Sequence, residues 1–184
     1  MIYVFLAEGF EETEALVPTD LLRRAEQEVV TVGIGSCVIR GSHGIPVVTD
    51  TDDKQIAIDE NVDMIILPGG MPGTLNLEKS EIVQQAVDHC VSEGKYIAAI
   101  CAAPSILGKK GLLDGKEAVC FPGFEQFLQG ARLSDKSVVC DFNGTKIITA
   151  KGAGAAIKFG LKLVEVMCGK ERADKLHDSL QCDD

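Results

Sequence analysis

The chain has 184 residues, enough for one well-cored domain and short of two ordinary ones, and its 46% hydrophobic and 25% charged residues are those of a folded globular protein. The formal charge of −10 at pH 7 speaks against DNA or RNA as partners, because such binding begins with a basic footprint. Seven cysteines without one C-x-x-C exclude a disulfide framework and a zinc site, and no apolar run has the flanks of a signal peptide or the length of a membrane span, so a cytoplasmic protein with free thiols and no metal is expected.

Ile2 to Ala7 is a continuous apolar run rich in β-formers, the pattern of a central strand covered on both faces. A helix is predicted from about Thr13 to Ala25, with Arg23 and Arg24 in its last turn, where cations complement the dipole. Pro18 removes the N–H that would bond to the carbonyl of Glu14, so a kink is expected there, and Glu14 falls at an irregular point just past strand one. Val29 to Ile34 reads as a second strand. Cys37 to Arg40 and Ile45 to Thr49 read as a hairpin turning through Gly41-Ser-His-Gly44. Asp50 to Asp63 is polar apart from Ile56 to Ile58, and Met64 to Leu67 is another buried strand, closed by Pro68-Gly-Gly-Met-Pro-Gly73.

Ser80 is placed to cap a helix carrying Val83, Ala86, Val87, Cys90 and Val91 at helical spacing and stopped by Gly94. Tyr96 to Ile100 is a strand running into Cys101, and Pro104 suits the first position of the helix that follows. A thiol at a strand-to-helix turn faces N–H groups and a helix dipole, which favours thiolate; a buried, inert cysteine is the competing reading. Val138 to Asp141 pairs with Lys146 to Ala150 across Asn143-Gly144. Gly152-Ala-Gly154 opens the last long helix, whose Ile157, Leu161, Val164 and Cys168 form a core-facing stripe by spacing. Beyond Gly169 a short helix reaches Leu176, and the acidic end is expected to fray.

Strands alternating with helices predict one domain over residues 1–184, a three-layer α/β/α sandwich of flavodoxin-like kind around a mainly parallel sheet. In such a sheet the ends of strands one, Met64–Leu67 and Tyr96–Ile100 share an edge, so Glu8 to Glu14, Gly69-Gly70 and Cys101 converge. The glycine loop either offers an N–H to an oxyanion beside that of Ala102 or is simply a tight connection. Gly152-x-Gly154 lacks the third glycine of a dinucleotide fingerprint, Gly169-Lys-Glu171 lacks the rest of a P-loop, and no cofactor is expected. Of the histidines, His89 and His177 read as surface residues. His43, in its glycine-flanked turn, is kept as a candidate, and no hydrolytic triad is visible.

Ala7-Glu-Gly-Phe-Glu-Glu-Thr-Glu14, Leu67-Pro-Gly-Gly70, Ala98-Ala-Ile-Cys-Ala-Ala-Pro104 and Gly152-x-Gly154, in this order and spacing, resemble the DJ-one (ThiJ/PfpI) superfamily, in the branch of the parkinsonism-associated protein and its small bacterial relatives. The resemblance implies a flavodoxin-like homodimer without cofactor, with Cys101 in a strained elbow against a protonated Glu14. It places Gly70 and Ala102 as backbone donors, Gly69 and Arg24 at the pocket, and Phe121 where many members have histidine. His43 stands where some relatives have arginine, and Ala153 replaces the proline of a Gly-Pro-Gly turn. Without a histidine at 121, peptidase or amidase chemistry loses its base. Two activities remain as expectations: a cysteine-dependent glyoxalase or deglycase acting on small aldehydes such as methylglyoxal, and a redox sensor whose Cys101 is oxidised to sulfinate.

Overall fold

Continuous apolar strands need cover on both faces, and the computed structural model, which describes residues 1–182, supplies it with helices above and below one sheet. The strands are β1 (Ile2–Leu6), β2 (Val29–Gly33), β3 (Val38–Arg40), β4 (Pro46–Val48), β5 (Thr51–Asp52), β6 (Met64–Leu67), β7 (Tyr96–Ile100), β8 (Glu117–Ala118), β9 (Arg132–Leu133), β10 (Val138–Asp141) and β11 (Lys146–Ala150). The helices are α1 (Glu12–Arg24), α2 (Gly73–Lys79), α3 (Glu81–Ser92), α4 (Pro104–Lys109), α5 (Ala156–Cys168) and α6 (Lys170–Ser179).

The main sheet runs β10-β11-β7-β6-β1-β2-β5. Its pairings are parallel except for the outer β10, which returns antiparallel along β11. From β1 the chain steps to β2 on one side, then resumes with β6, β7 and β11 on the other. The strand order therefore reverses between β1 and β6, and the crevice at such a point is where open α/β sheets bind ligands.

Alternate side chains of each strand feed two cores. Tyr3, Phe5, Ile65, Leu67 and Ile97 pack with Val83, Ala86 and Val87 of α3, while Ile2, Val4, Leu6, Ile66 and Ile148 pack with Leu21 and Leu22 of α1 and with Phe159, Leu163 and Val164 of α5. No helix among the described residues is long and apolar enough to cross a membrane.

Several local expectations are corrected, most clearly in α5, which approaches α1 at Pro18: a Cβ at Gly160 would lie 3.1 Å from the Cα of Pro18 and 2.6 Å from Leu21. That contact fixes the rotation of α5. Its buried residues are Ala156, Phe159, Gly160, Leu163 and Val164; Leu161 and Cys168 are half-buried and pack against the same core, and Ile157 is exposed, so the predicted stripe faces the core except at Ile157. Ser80 occupies the N-cap of α3 without a side-chain bond. Helix α6 runs three residues past Leu176, and Asp183 and Asp184, the acidic end expected to fray, lie outside the described residues.

Candidate active site

Cys101 follows the last residue of β7 with φ at +65°, in the left-handed region that a non-glycine residue rarely enters. Two main-chain bonds hold it there. Its N–H donates to the carbonyl of Ala150 at 2.9 Å, and its carbonyl accepts from the N–H of Phe121 at 2.8 Å. A conformation of this kind costs about 1–3 kcal/mol and persists only where the surroundings determine it. The turn aims the half-buried side chain at the N–H groups of Gly70 and Ala102, which face the sulfur.

Glu14 comes from the first turns of α1, which starts immediately beyond β1. The carboxylate of Glu11 accepts the N–H of Glu14 at 2.7 Å and so caps the helix, while the N–H of Glu11 donates to the carbonyl of Gly69 at 2.9 Å. The helix start is thereby joined to the loop after β6. Glu14 is 1% exposed, and its Oε2 accepts the N–H of Gly69 at 2.9 Å. A Cβ at Gly69 would lie 2.6 Å from that oxygen and 2.7 Å from the Cβ of Cys101, so only glycine lets this backbone sit between the two side chains. Gly70, with φ at +90°, is also pinned, since a Cβ there would lie 2.4 Å from the Glu11 nitrogen.

Burial pushes the Glu14 carboxyl up to about 7, against the thiol of Cys101 and the N–H groups of Gly69 and Ala153, which favour its ionised form; the charge of Glu11 adds to the rise. Burial and the Glu14 charge likewise push the Cys101 thiol up to about 12, while the N–H groups of Gly70 and Ala102 pull it down. The expectation of a thiolate favoured by a helix dipole is therefore corrected. Helix α4 has only six residues, too short for a strong dipole, and burial beside a carboxylate dominates. The repulsion vanishes once Glu14 is protonated, and its O–H can then donate to sulfur. The two groups titrate as a coupled pair.

The remaining candidates fall in different places. Gly69 holds Glu14, and Phe121 touches the site through its backbone bond to Cys101. His43 is 2.9 Å from Glu12 through Nδ1, and that hydrogen bond and charge raise its pKa; Glu12 also accepts the N–H of His43, which ties the hairpin turn to α1. Glu11, Glu12 and His43 are the group among the described residues whose ligand atoms could converge on a cation, and Glu12 and Glu11 are already engaged in these turn and cap bonds. Arg24 lies ten residues along α1 from Glu14, about 15 Å at the helical rise, ion-paired with Asp20 and lining a separate cavity with Arg172 and Lys175. The structure does not bring Arg24 to the thiol of its own chain.

Ala153 is a contact that motif reading missed. The residue was visible as the alanine of Gly152-Ala-Gly154, and its consequence is that an N–H exists where a proline has none. Ala153→Pro removes a donor to the ionised carboxyl, so the Glu14 pKa is expected to rise further above 7, whereas Ala153→Gly leaves it in place. Carboxyl-labelled NMR titration of the two variants checks this.

A model of the DJ-1/PfpI family matches residues 1–166. Protein dj-1beta of Drosophila melanogaster is 36% identical over 96% of this chain and 94% of its own. A Caenorhabditis elegans protein named glutathione-independent glyoxalase DJR-1.2 is 30% identical over 92% of this chain and 89% of its own. Two Arabidopsis thaliana DJ-1 homologues are longer, and the chain spans 39% and 46% of them. Among solved structures, that of oxidized Toxoplasma gondii DJ-1 superposes with a TM-score of 0.90 at 36% identity, covering 97% of this chain and 96% of the other.

Proposed function

The chain belongs to the DJ-1/PfpI family, and from that premise we propose that it is a cofactor-free, cysteine-dependent enzyme converting 2-oxoaldehydes such as methylglyoxal to 2-hydroxy acids. The observation that carries this reading is the buried Glu14, poised near neutral pH and held by Gly69 against the Cys101 thiol. A general acid–base catalyst works best with a pKa near the operating pH. The name of the C. elegans relative agrees with this reading.

With the proton on Glu14 and the charge on sulfur, the thiolate adds to the aldehyde carbon, opening its C=O π bond. The oxyanion takes the Glu14 proton and a hemithioacetal results. The Glu14 carboxylate then removes the hydrogen from that carbon to give an enediolate, and returns a proton to the neighbouring carbon while the hydroxyl proton passes to its oxygen. A 2-hydroxyacyl thioester remains. Water cleaves its C–S bond, releasing lactate and the thiol. One carbon is oxidised and its neighbour reduced by the same electron pair, so the reaction needs no external oxidant. The Gly70 and Ala102 N–H groups stabilise negative charge at sulfur, and donors so placed are worth most in a water-poor site. The test is D- or L-lactate formation from methylglyoxal without added thiol.

A second reading, redox sensing at Cys101, is favoured by one observation, the relative solved in an oxidized form. Under it, limiting peroxide adds the mass of two oxygens at Cys101 before any other cysteine, and peptide mass spectrometry in which Cys37 or Cys182 reacts first overturns it. Family membership also supports a homodimer. Hairpin β3–β4 and the turn between its strands expose Val38, Ile45 and Val48, an apolar face that a second copy can cover. Light scattering at twice the monomer mass is the expected result.

A further inference from the structure

A chain with a formal charge of −10 offers anions few places to bind, yet one cavity of about 380 Å³ is walled by cations. Arg24, at the end of α1, lines it together with Arg172, Lys175, Leu176 and Ser179 of α6. Each cation has an acidic neighbour: Asp20 lies 2.7 Å from Arg24, Glu26 3.3 Å from Arg172 and Glu171 2.7 Å from Lys175. None of these three carboxylates lines the cavity. Arg24 pairs through Nε alone, so both of its Nη groups are uncommitted among the described residues, and Arg172 bonds only through Nη2.

The guanidinium of Arg172 is positioned by the way α1 ends. The N–H of Gln27 donates to the carbonyl of Leu22 at 3.0 Å and that of Glu26 to the carbonyl of Arg23 at 2.9 Å, a cap in which Glu26 takes φ +63°, where glycine is the usual residue. This closure leaves the Arg24 carbonyl to Arg172, whose Nη2 donates to it at 3.1 Å across 148 residues of chain. The bond joins α6 to the end of α1 and holds one guanidinium beside the other. Leu176, 8% exposed, supplies an apolar part of the wall. The Ser179 hydroxyl donates to the Leu176 carbonyl at 2.8 Å, so the guanidinium and ammonium groups are the donors left for a ligand.

Two guanidinium forks and an ammonium on one cavity match the several oxygens of a phosphate group, which accept paired N–H donors. The cavity is larger than a phosphate group alone fills, and Leu176 can meet a short carbon skeleton. Asp20, Glu26 and Glu171, outside the lining, repel an extended polyanion laid over the mouth, whereas a compact dianion enters among the cations. We propose that the cavity between the end of α1 and α6 is a binding site for a small phosphomonoester, held by Arg24, Arg172 and Lys175. The site is separate from the elbow and independent of the chemistry at Cys101.

Isothermal titration calorimetry with inorganic phosphate and glycerol 3-phosphate, in chloride buffer of constant ionic strength, tests the site. Wild type is expected to bind one ligand per chain, glycerol 3-phosphate at least as tightly as phosphate. Arg172→Gln should weaken both by ~10-fold or more, the scale of a lost hydrogen bond to a charged group. Glu26→Gly suits the left-handed cap, keeps the bond from Arg172 to the Arg24 carbonyl and removes a competing carboxylate, so it should tighten binding by ~2–5-fold, the scale of an exposed ion pair. That gain decides the matter even if Arg172→Gln fails to fold. No phosphate binding by wild type, an affinity that folded Arg172→Gln leaves unchanged, or weaker binding by Glu26→Gly overturns the site. Phosphate binding tighter than glycerol 3-phosphate, succinate binding as tight as either, or heparin binding tighter than all of them overturns the choice of a small phosphomonoester.

Discussion

Cys101→Ser is expected to lower kcat/KM for methylglyoxal by at least ~10³-fold, to the level of the reaction in buffer, the scale on which removal of a nucleophile acts. The substitution keeps the elbow. Its strain at φ +65° is imposed by bonds from the main chain to Ala150 and Phe121, which a serine makes equally well. What is lost is an atom that can carry negative charge facing Gly70 and Ala102. Unfolding of the variant is therefore expected to match wild type within about 1 kcal/mol, so a dead enzyme cannot be ascribed to a lost fold. More than a tenth of wild-type activity in the serine variant, or no lactate from wild type, refutes the enzymatic reading and leaves oxidation of the thiol as the surviving one.

Glu14→Gln is expected to lower the same rate by ~10²–10⁴-fold, the usual contribution of a positioned proton carrier. It also has an opposite effect on stability. The folded-state pKa of Glu14, about 7, is raised above its ordinary 4.5, so the carboxyl favours the fold fully below about pH 4.5 and that contribution is lost as pH rises through 7. A difference of this size corresponds to roughly 3 kcal/mol, and Glu14 is too buried for solvent to screen it away. Glutamine cannot ionise, and its side-chain oxygen can still accept the Gly69 N–H. Relative to wild type the variant should gain stability above pH 7, by roughly 5–10 °C in Tm, with the gap closing below pH 5. Thermal unfolding from pH 4.5 to 8.5 reads this directly, and a gap independent of pH would show that Glu14 titrates at its ordinary value.

The parts of the fold legible in the sequence were those with one strong periodicity. β1, β6 and β7 are unbroken apolar runs, and Asn143-Gly144 joins β10 to β11 in the manner such a dipeptide favours. β5 is two residues long at a sheet edge and α2 carries no stripe, so neither has a pattern to read. In α5 the apolar residues nearly encircle the helix, and spacing alone could not choose a face. The choice was made by Gly160 against Pro18 and Leu21, a contact between segments far apart in the chain.

The site divides the same way. Cys101, Glu14, Gly70 and Ala102 lie in short motifs at strand ends, and topology gathers strand ends. The protonation of the thiol was misread because helix length and burial, not the presence of a helix start, decide it. Ala153 and Phe121 arrive from the segments after β11 and β8, and the closed fold shows the N–H of Ala153 at the Glu14 carboxyl and the N–H of Phe121 bonded to the Cys101 carbonyl.

The bond from Glu11 to Gly69 has a thermodynamic corollary. Together with the Glu11 cap and the Gly69 bond to the Glu14 carboxyl, it ties the start of α1 and the loop after β6 into one short closed circuit, and the elbow is clamped from β11 and from the segment after β8. The ordering entropy of the reacting groups was thus spent during folding, when the cores formed, and a ligand meets a cradle already set. Affinity for small ligands at this cradle should accordingly respond little to changes that loosen the chain elsewhere, such as substitutions on the exposed side of α6, and strongly to any that open this circuit.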